Sequence, residues 1–172
     1  TVLSATHKNL AYDLEKDLHA LSQVTTLFYV LTAHPSFPAK SVKELIAYAK
    51  ANPGKINFGS SGTGALQHLA GELMAYQSGI KITHVPYKGG AAALAAVMAG
   101  EIEISFTTLL SARPHMQSGR LRILGITDSK RSPAVPDLPT IGEFVPGYEA
   151  SAVWGLGAPS KRDTQPSGGR LK

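Results

Sequence analysis

The 172 residues carry 17 Lys and Arg against 12 Asp and Glu, a formal charge of +5, with 43% hydrophobic side chains and no cysteine. Disulfides and thiolate metal sites are thereby excluded, no apolar run approaches the roughly 20 residues of a membrane helix, and the length suits one domain or one lobe with a real core. The positive balance favours a small anionic partner; nucleic acid fits poorly, because the cations are scattered, without a basic stripe interleaved with aromatics.

Taken in order, residues 1 to 21 are polar and weakly patterned, and Tyr12 to Leu18 reads as a loop or short helical turn. Residues 22 to 33 hold Val24, Leu27, Phe28, Tyr29, Val30 and Leu31, a strand-like run. Ser41-Val42-Lys43-Glu44 is a capping box; Val42, Leu45, Ile46 and Ala49 recur at helical spacing until Asn52-Pro53-Gly54 stops them. A strand over 55–59, a turn and a helix over about 63–78 follow, ended by Gly79. Ile80 to Val85 alternates as a strand. Tyr87-Lys88-Gly89-Gly90 turns the chain into a helix with Ala91, Leu94, Val97 and Met98, closed by Gly100. Ile102 to Phe106 is the next strand, Thr107 and Thr108 lead into a helix near 109–118 with Pro114 in its first turn, and Leu121 to Thr127 is another strand. A short helix is expected after Pro139-Thr140, and Ala150 to Ala158 returns as a strand whose Trp154 is expected in the core. Residues 160–172 read as a disordered tail behind an α/β lobe spanning 1–159.

Repeated strand, turn and helix imply an α/β fold, a parallel or mixed sheet with helices on both faces. In such sheets ligands sit at the carboxyl ends of strands, which gathers three turns at one edge: Ser60, Ser61, Gly62, Thr63 and Gly64; Tyr87, Lys88, Gly89 and Gly90; Thr107 and Thr108. The first is the central one. Helix-terminal N–H groups without intrahelical partners, small residues and hydroxyls make an oxyanion cradle, and the alternative is an ordinary helix cap satisfied by Ser or Thr. Familiar phosphate and nucleophile motifs fail: Gln67 stands where a dinucleotide fingerprint needs glycine, no lysine follows Gly64 as in a P-loop, and Thr63 replaces the last glycine of a nucleophile elbow. Lys88 is open between a point charge for a carboxylate and a solvated turn residue. Tyr87 is open between cleft wall and core. His68 and Glu72 lie one turn apart, but a zinc site needs further ligands, so a local pair is the reading and no metal is expected. Sequence alone pairs none of the six histidines with a serine and a carboxylate.

Several strings together resemble one family: Pro38 to Leu45, Asn57 to Glu72, His84-Val85-Pro86-Tyr87-Lys88-Gly89-Gly90 and Leu138-Pro139-Thr140. They are similar to the solute-binding proteins of tripartite tricarboxylate transporters, the Bug family, from about Leu10 to Pro159. The resemblance implies a periplasmic, noncatalytic protein of two α/β lobes without a cofactor. It would close on a small carboxylate and deliver it to membrane transporter subunits. Ser60, Ser61, Gly62 and Gly64 occupy the family's serine/glycine turn. Ala65 stands where threonine is usual, and Thr107 where aspartate is frequent. No first-lobe Pro-Gly-Gly loop is found, and Lys161 to Lys172 reads as foreign to the family, so the expectation is a second lobe alone with half a cleft. Carboxylate binding would then be weak or absent. The alternative is an interaction module that forms a homodimer through the surface left by the missing lobe.

Overall fold

Strand and helix alternate through the chain as their periodicities require. The structure, a computed structural model, describes Asp13 and residues 16–160. Its elements are β1 (Leu18–Ala33), α1 (Val42–Ala51), β2 (Asn57–Ser60), α2 (Leu66–Ser78), β3 (Thr83–Pro86), α3 (Gly90–Ala99), β4 (Ile104–Thr108), α4 (Leu109–Gln117), β5 (Arg122–Ile126), a 3-10 turn (Ile141–Glu143) and β6 (Ser151–Pro159). Of the disordered tail expected over 160–172, residues 161–172 lie outside the described residues, as do Tyr12, Leu14 and Glu15 of the turn expected at Tyr12 to Leu18. Contacts divide the chain into two units, Thr26–Ala152 and the described residues of Thr1–Thr25 with Val153–Lys172.

Within Thr26–Ala152 the strand order is β3-β2-β4-β1-β5. β2 pairs parallel with β3 and β4, whereas β1 runs antiparallel to both β4 and β5. The sheet is therefore mixed. Strands joined through a crossover helix run parallel. β1 is joined to neither of its neighbours in that way and sits between them, while α4 carries the chain from β4 to β5. Period-two alternation sends Tyr29, Leu31 and Ala33 to a core shared with Val42 and Leu45 of α1 and Ala70 and Met74 of α2. Val30 instead meets Ala112 of α4 with Ile123 and Ile126. Helices thus cover both faces.

Local boundaries follow side-chain chemistry. The Ser41 hydroxyl accepts the Glu44 N–H at 3.2 Å, while the Glu44 carboxylate accepts the N–H of Lys40 at 2.8 Å, one residue before the cap. Thr140 and Glu143 close a reciprocal capping box around the expected short helix. Pro114 corrects an expectation: it lies in the interior of α4, not in its first turn. It donates no hydrogen bond to the carbonyl of Leu110, a residue exposed to solvent.

The other unit is a ribbon in which β6 pairs with the first part of β1. The Ser160 N–H donates to the Asp17 carbonyl at 2.9 Å. Trp154 is not in the core, as expected from its type, but 59% exposed, with Val153 at 64% and Leu156 at 62%. Consecutive strand residues point to opposite faces. Exposure of both Val153 and Trp154 therefore means that both faces of the ribbon are open at that point.

Candidate ligand-binding site

Because β2, β3 and β4 are parallel neighbours, the turns after them emerge at one edge of the sheet. Ser60 stands opposite Pro86 and Gly59 opposite Ser105. The Tyr87 N–H donates to the Ser60 carbonyl at 3.0 Å, extending the ladder into the second turn. A Cβ at Gly62 would lie 3.9 Å from the Tyr87 carbonyl, and one at Gly90 would lie 3.7 Å from Nε2 of Gln67. The first two turns are thus in touch, with Thr107 and Thr108 beyond Ser105 at the same strand end.

The first turn is built by its glycines. Gly62 at φ 135° and Gly64 at φ 82° adopt backbone angles that side chains disfavour, and they delay α2 to Leu66, three residues after its expected start. Its cap residue is Ala65, which gives no side-chain hydrogen bond. The helix therefore starts without the Ser or Thr cap of the ordinary reading, and its first amides keep the positive end of the dipole. Ser61 and Thr63 do not cap it: the Ser61 hydroxyl donates to Oε1 of Gln67 at 2.8 Å, and Thr63 is exposed.

Ser60 behaves differently from its neighbours. It is fully buried, its hydroxyl donates to the Gly62 carbonyl at 3.0 Å and accepts the Gly62 N–H at 3.1 Å, and it lies 2.6 Å from Nε2 of His84. His84 stacks on His68 with centroids 3.8 Å apart, and Phe58 backs both rings. His68 accepts the Gly64 N–H on Nδ1 at 3.1 Å, and its Nε2 is 3.7 Å from Glu72. Burial, with the adjacent His68 adding to it, holds His84 below the ordinary imidazole range.

In the second turn Lys88 is exposed, and Gly89 at φ 110° caps α3 without a side chain. Tyr87 packs partly against the cluster of Leu94, Val97 and Ile102. Burial, followed by the negative charge of Glu101, raises its phenol. The third expected turn is absent: Thr107 is a buried residue of β4, and Thr108, the last of that strand, caps α4 directly by accepting the Ser111 N–H at 3.3 Å. Gln67 and the two histidines are the neighbours that sequence reasoning missed. Only the spacing of His68 and Glu72 hinted at them, because His84 arrives from a different strand.

An open groove of about 650 Å³ runs beside α2, lined by Leu66, Leu69, Glu72, Leu73, Tyr76 and residues 149–151. Neither glycine turn lines it, nor does Thr107. Its charged groups are Glu72 and Glu149, the wrong sign for an anion.

The fold is that of one lobe of a periplasmic binding protein: a mixed sheet between helices, with small-residue turns at the carboxyl edge of its parallel strands. The model of the tripartite tricarboxylate transporter family receptor matches residues 1–167, and the chain belongs to that family, whose members are periplasmic, noncatalytic solute receptors. The match runs past Pro159, where the resemblance was expected to end. A UPF0065 protein of Bordetella pertussis is 38% identical over 154 residues, 90% of this chain and 47% of that relative. Among solved structures, R. palustris Rpa4515 with adipate aligns with a TM-score of 0.83 at 34% identity, covering 92% of this chain and 53% of the other. MatC from Rhodopseudomonas palustris with bound malate gives 0.80 at 29%, covering 92% and 54%. The chain spans about half the length of the relatives it matches.

Proposed function

We propose that this chain is the second lobe of a tricarboxylate-transporter binding protein and presents one wall of a cleft for a small carboxylate destined for membrane transporter subunits. The observation that carries the reading is the start of α2: unpartnered amides, no side-chain cap, and glycine turns of β2 and β3 in contact beside it. The first turn of α2, Gly89 and Gly90 offer backbone N–H groups, with a hydroxyl from Thr63 and a cation from Lys88, while Gly62, Gly64 and Ser61, whose own donors are held by Ser60, His68 and Gln67, shape the turn that places them. Ser60 and Thr107, both buried, shape the wall behind them, with Tyr87 beside it and Thr108 at its rim. The adipate and malate named with the two relatives indicate the ligand class. Affinity rises as a site buries most of its ligand, so a single wall binds weakly. Calorimetry with malate and adipate tests this: binding weaker than micromolar is expected. Sub-micromolar affinity in a monomer would overturn the one-wall reading, and unmoved Gly62 and Gly64 amides in an NMR titration at large excess would overturn the site.

The exposed Leu21, Val24, Val153, Trp154 and Leu156 of the ribbon favour a second reading, in which the chain associates with itself through that surface. Light scattering over a concentration series decides it, a strict monomer counting against association.

A further inference from the structure

Two partly buried imidazoles lie directly behind the first turn, and their protons are assigned by their partners. A backbone amide only donates, so Nδ1 of His68, which accepts from Gly64, carries no proton. Neutral His68 therefore holds its proton on Nε2, toward Glu72. A hydroxyl has one proton to give and two lone pairs to accept with. The Ser60 proton goes to the Gly62 carbonyl and one lone pair takes the Gly62 N–H, so the other faces His84, whose Nε2 must be the donor across 2.6 Å. Every contact is satisfied when both rings are neutral with the proton on Nε2.

We infer that His68 and His84 are positioning residues: as a neutral stacked pair they fix the backbone of Gly62 and Gly64, and protonation of the stack lets the turn go. A proton added to Nδ1 of His68 removes the only acceptor that ring offers Gly64. A proton added to His84 leaves its bond to Ser60 but sets a cation against the His68 ring, 3.8 Å away. The groups facing the pair are few. β2 contributes Phe58 and Ser60, which carry no charge; α2 contributes His68 itself and Glu72; β3 has no titratable residue besides His84, and neighbouring α3 has none. Glu72 lies at 3.7 Å from Nε2 of His68 and is exposed, so it compensates a second charge poorly. The depressed pKa of His84 adds a sign. In the fold this ring takes a proton less readily than in the unfolded chain, so its contribution to stability is complete above the ordinary imidazole pKa. It is lost as pH falls through the lowered value.

The carboxylate role of the turn rests on the reading above, but the positioning role has its own readout. Long-range proton–nitrogen spectra of the whole chain at neutral pH should show both rings protonated on Nε2. On acidification the Gly62 and Gly64 amides should move with the imidazoles. In His84→Gln the side-chain amide keeps a donor near the Nε2 position, and the Gly62 shift should stay close to wild type. In His84→Phe, which keeps only the stacking, it should not. Thermal melting establishes that each variant folds, and the wild-type titration stands without them. An Nδ1-protonated ring at neutral pH, glycine amides that stay fixed while the rings titrate, or a Phe variant with wild-type shifts would each overturn the inference. Malate added last separates the two ideas. If the histidines behave as described and malate still leaves both glycines unmoved, the carboxylate reading fails and the positioning role stands. If the site does bind malate, His84→Phe should weaken it about fivefold, as for loss of one hydrogen bond, and His84→Gln by less.

Discussion

β4 and β6 are written in the same alphabet and meet opposite fates. Ile104-Ser105-Phe106-Thr107 is buried at every position, whereas Val153, Trp154 and Leu156 stand in solvent. β4 lies between β2 and β1, with helices over it, so both of its faces and both of its edges are occupied. β6 pairs with β1 and has open faces. Apolar β-branched and aromatic residues specify a strand, but only neighbours specify an interior. The candidate site belongs to the occupied kind of strand: its turns are held because β2, β3 and β4 are themselves locked in register.

The sharpest way to break this comparison is to hollow the occupied side. Phe58 of β2 is fully buried, packs its ring against Gly71 of α2, and backs both histidines. Phe58→Ala is expected to cost about 3–5 kcal/mol in urea denaturation, from lost burial and the cavity left behind. A cost under about 1 kcal/mol would mean that the sheet closes over the gap and that this core is less tightly packed than its geometry states. Next comes the opposite change at the same contact. Gly71→Ala gains about 1 kcal/mol in helix preference, but its Cβ would lie 2.3 Å from the Phe58 ring. A ring buried on every side has no free direction, so overpacking of about 1–3 kcal/mol outweighs the gain, and the variant should melt below wild type. A higher melting point would show that the Phe58 ring moves.

Much of this occupied region was legible in the residues. Helical spacing with Ser41 and Asn52 marked α1, and the glycines at 79 and 100 marked the ends of α2 and α3, where φ is positive. The turns after β2 and β3 fell at one edge with the end of β4 because parallel order follows from alternating strands and helices, though Thr107 and Thr108 proved to be strand residues and not a turn. What escaped was whatever depends on a partner distant in sequence. The antiparallel insertion of β1 is invisible in its own residues, as is the meeting of His84 with Ser60, 24 residues apart. The exposed state of Trp154 escaped for the same reason: its type states a preference for burial, and the pairing of its strand decides whether burial occurs. The late start of α2 was closer to legible, since two glycines two residues apart rarely continue a helix.

The smallest expected effect lies on the open side. Trp154→Ser removes a large ring that is 59% exposed, so little burial is lost and the stability of the chain should change by no more than about 0.5 kcal/mol. Association is where the ring should be felt. Should the ribbon join two copies, aromatic anchors at the centre of such a surface carry a disproportionate share of the binding energy, and the serine variant should scatter light as a monomer at concentrations where the parent does not. Unchanged stability with reduced association would separate the two regions cleanly, one held by its neighbours and the other exposing its apolar side chains. A loss of stability as large as that of Phe58→Ala would instead show that the ring is packed in solution, and the contrast between β4 and β6 would disappear.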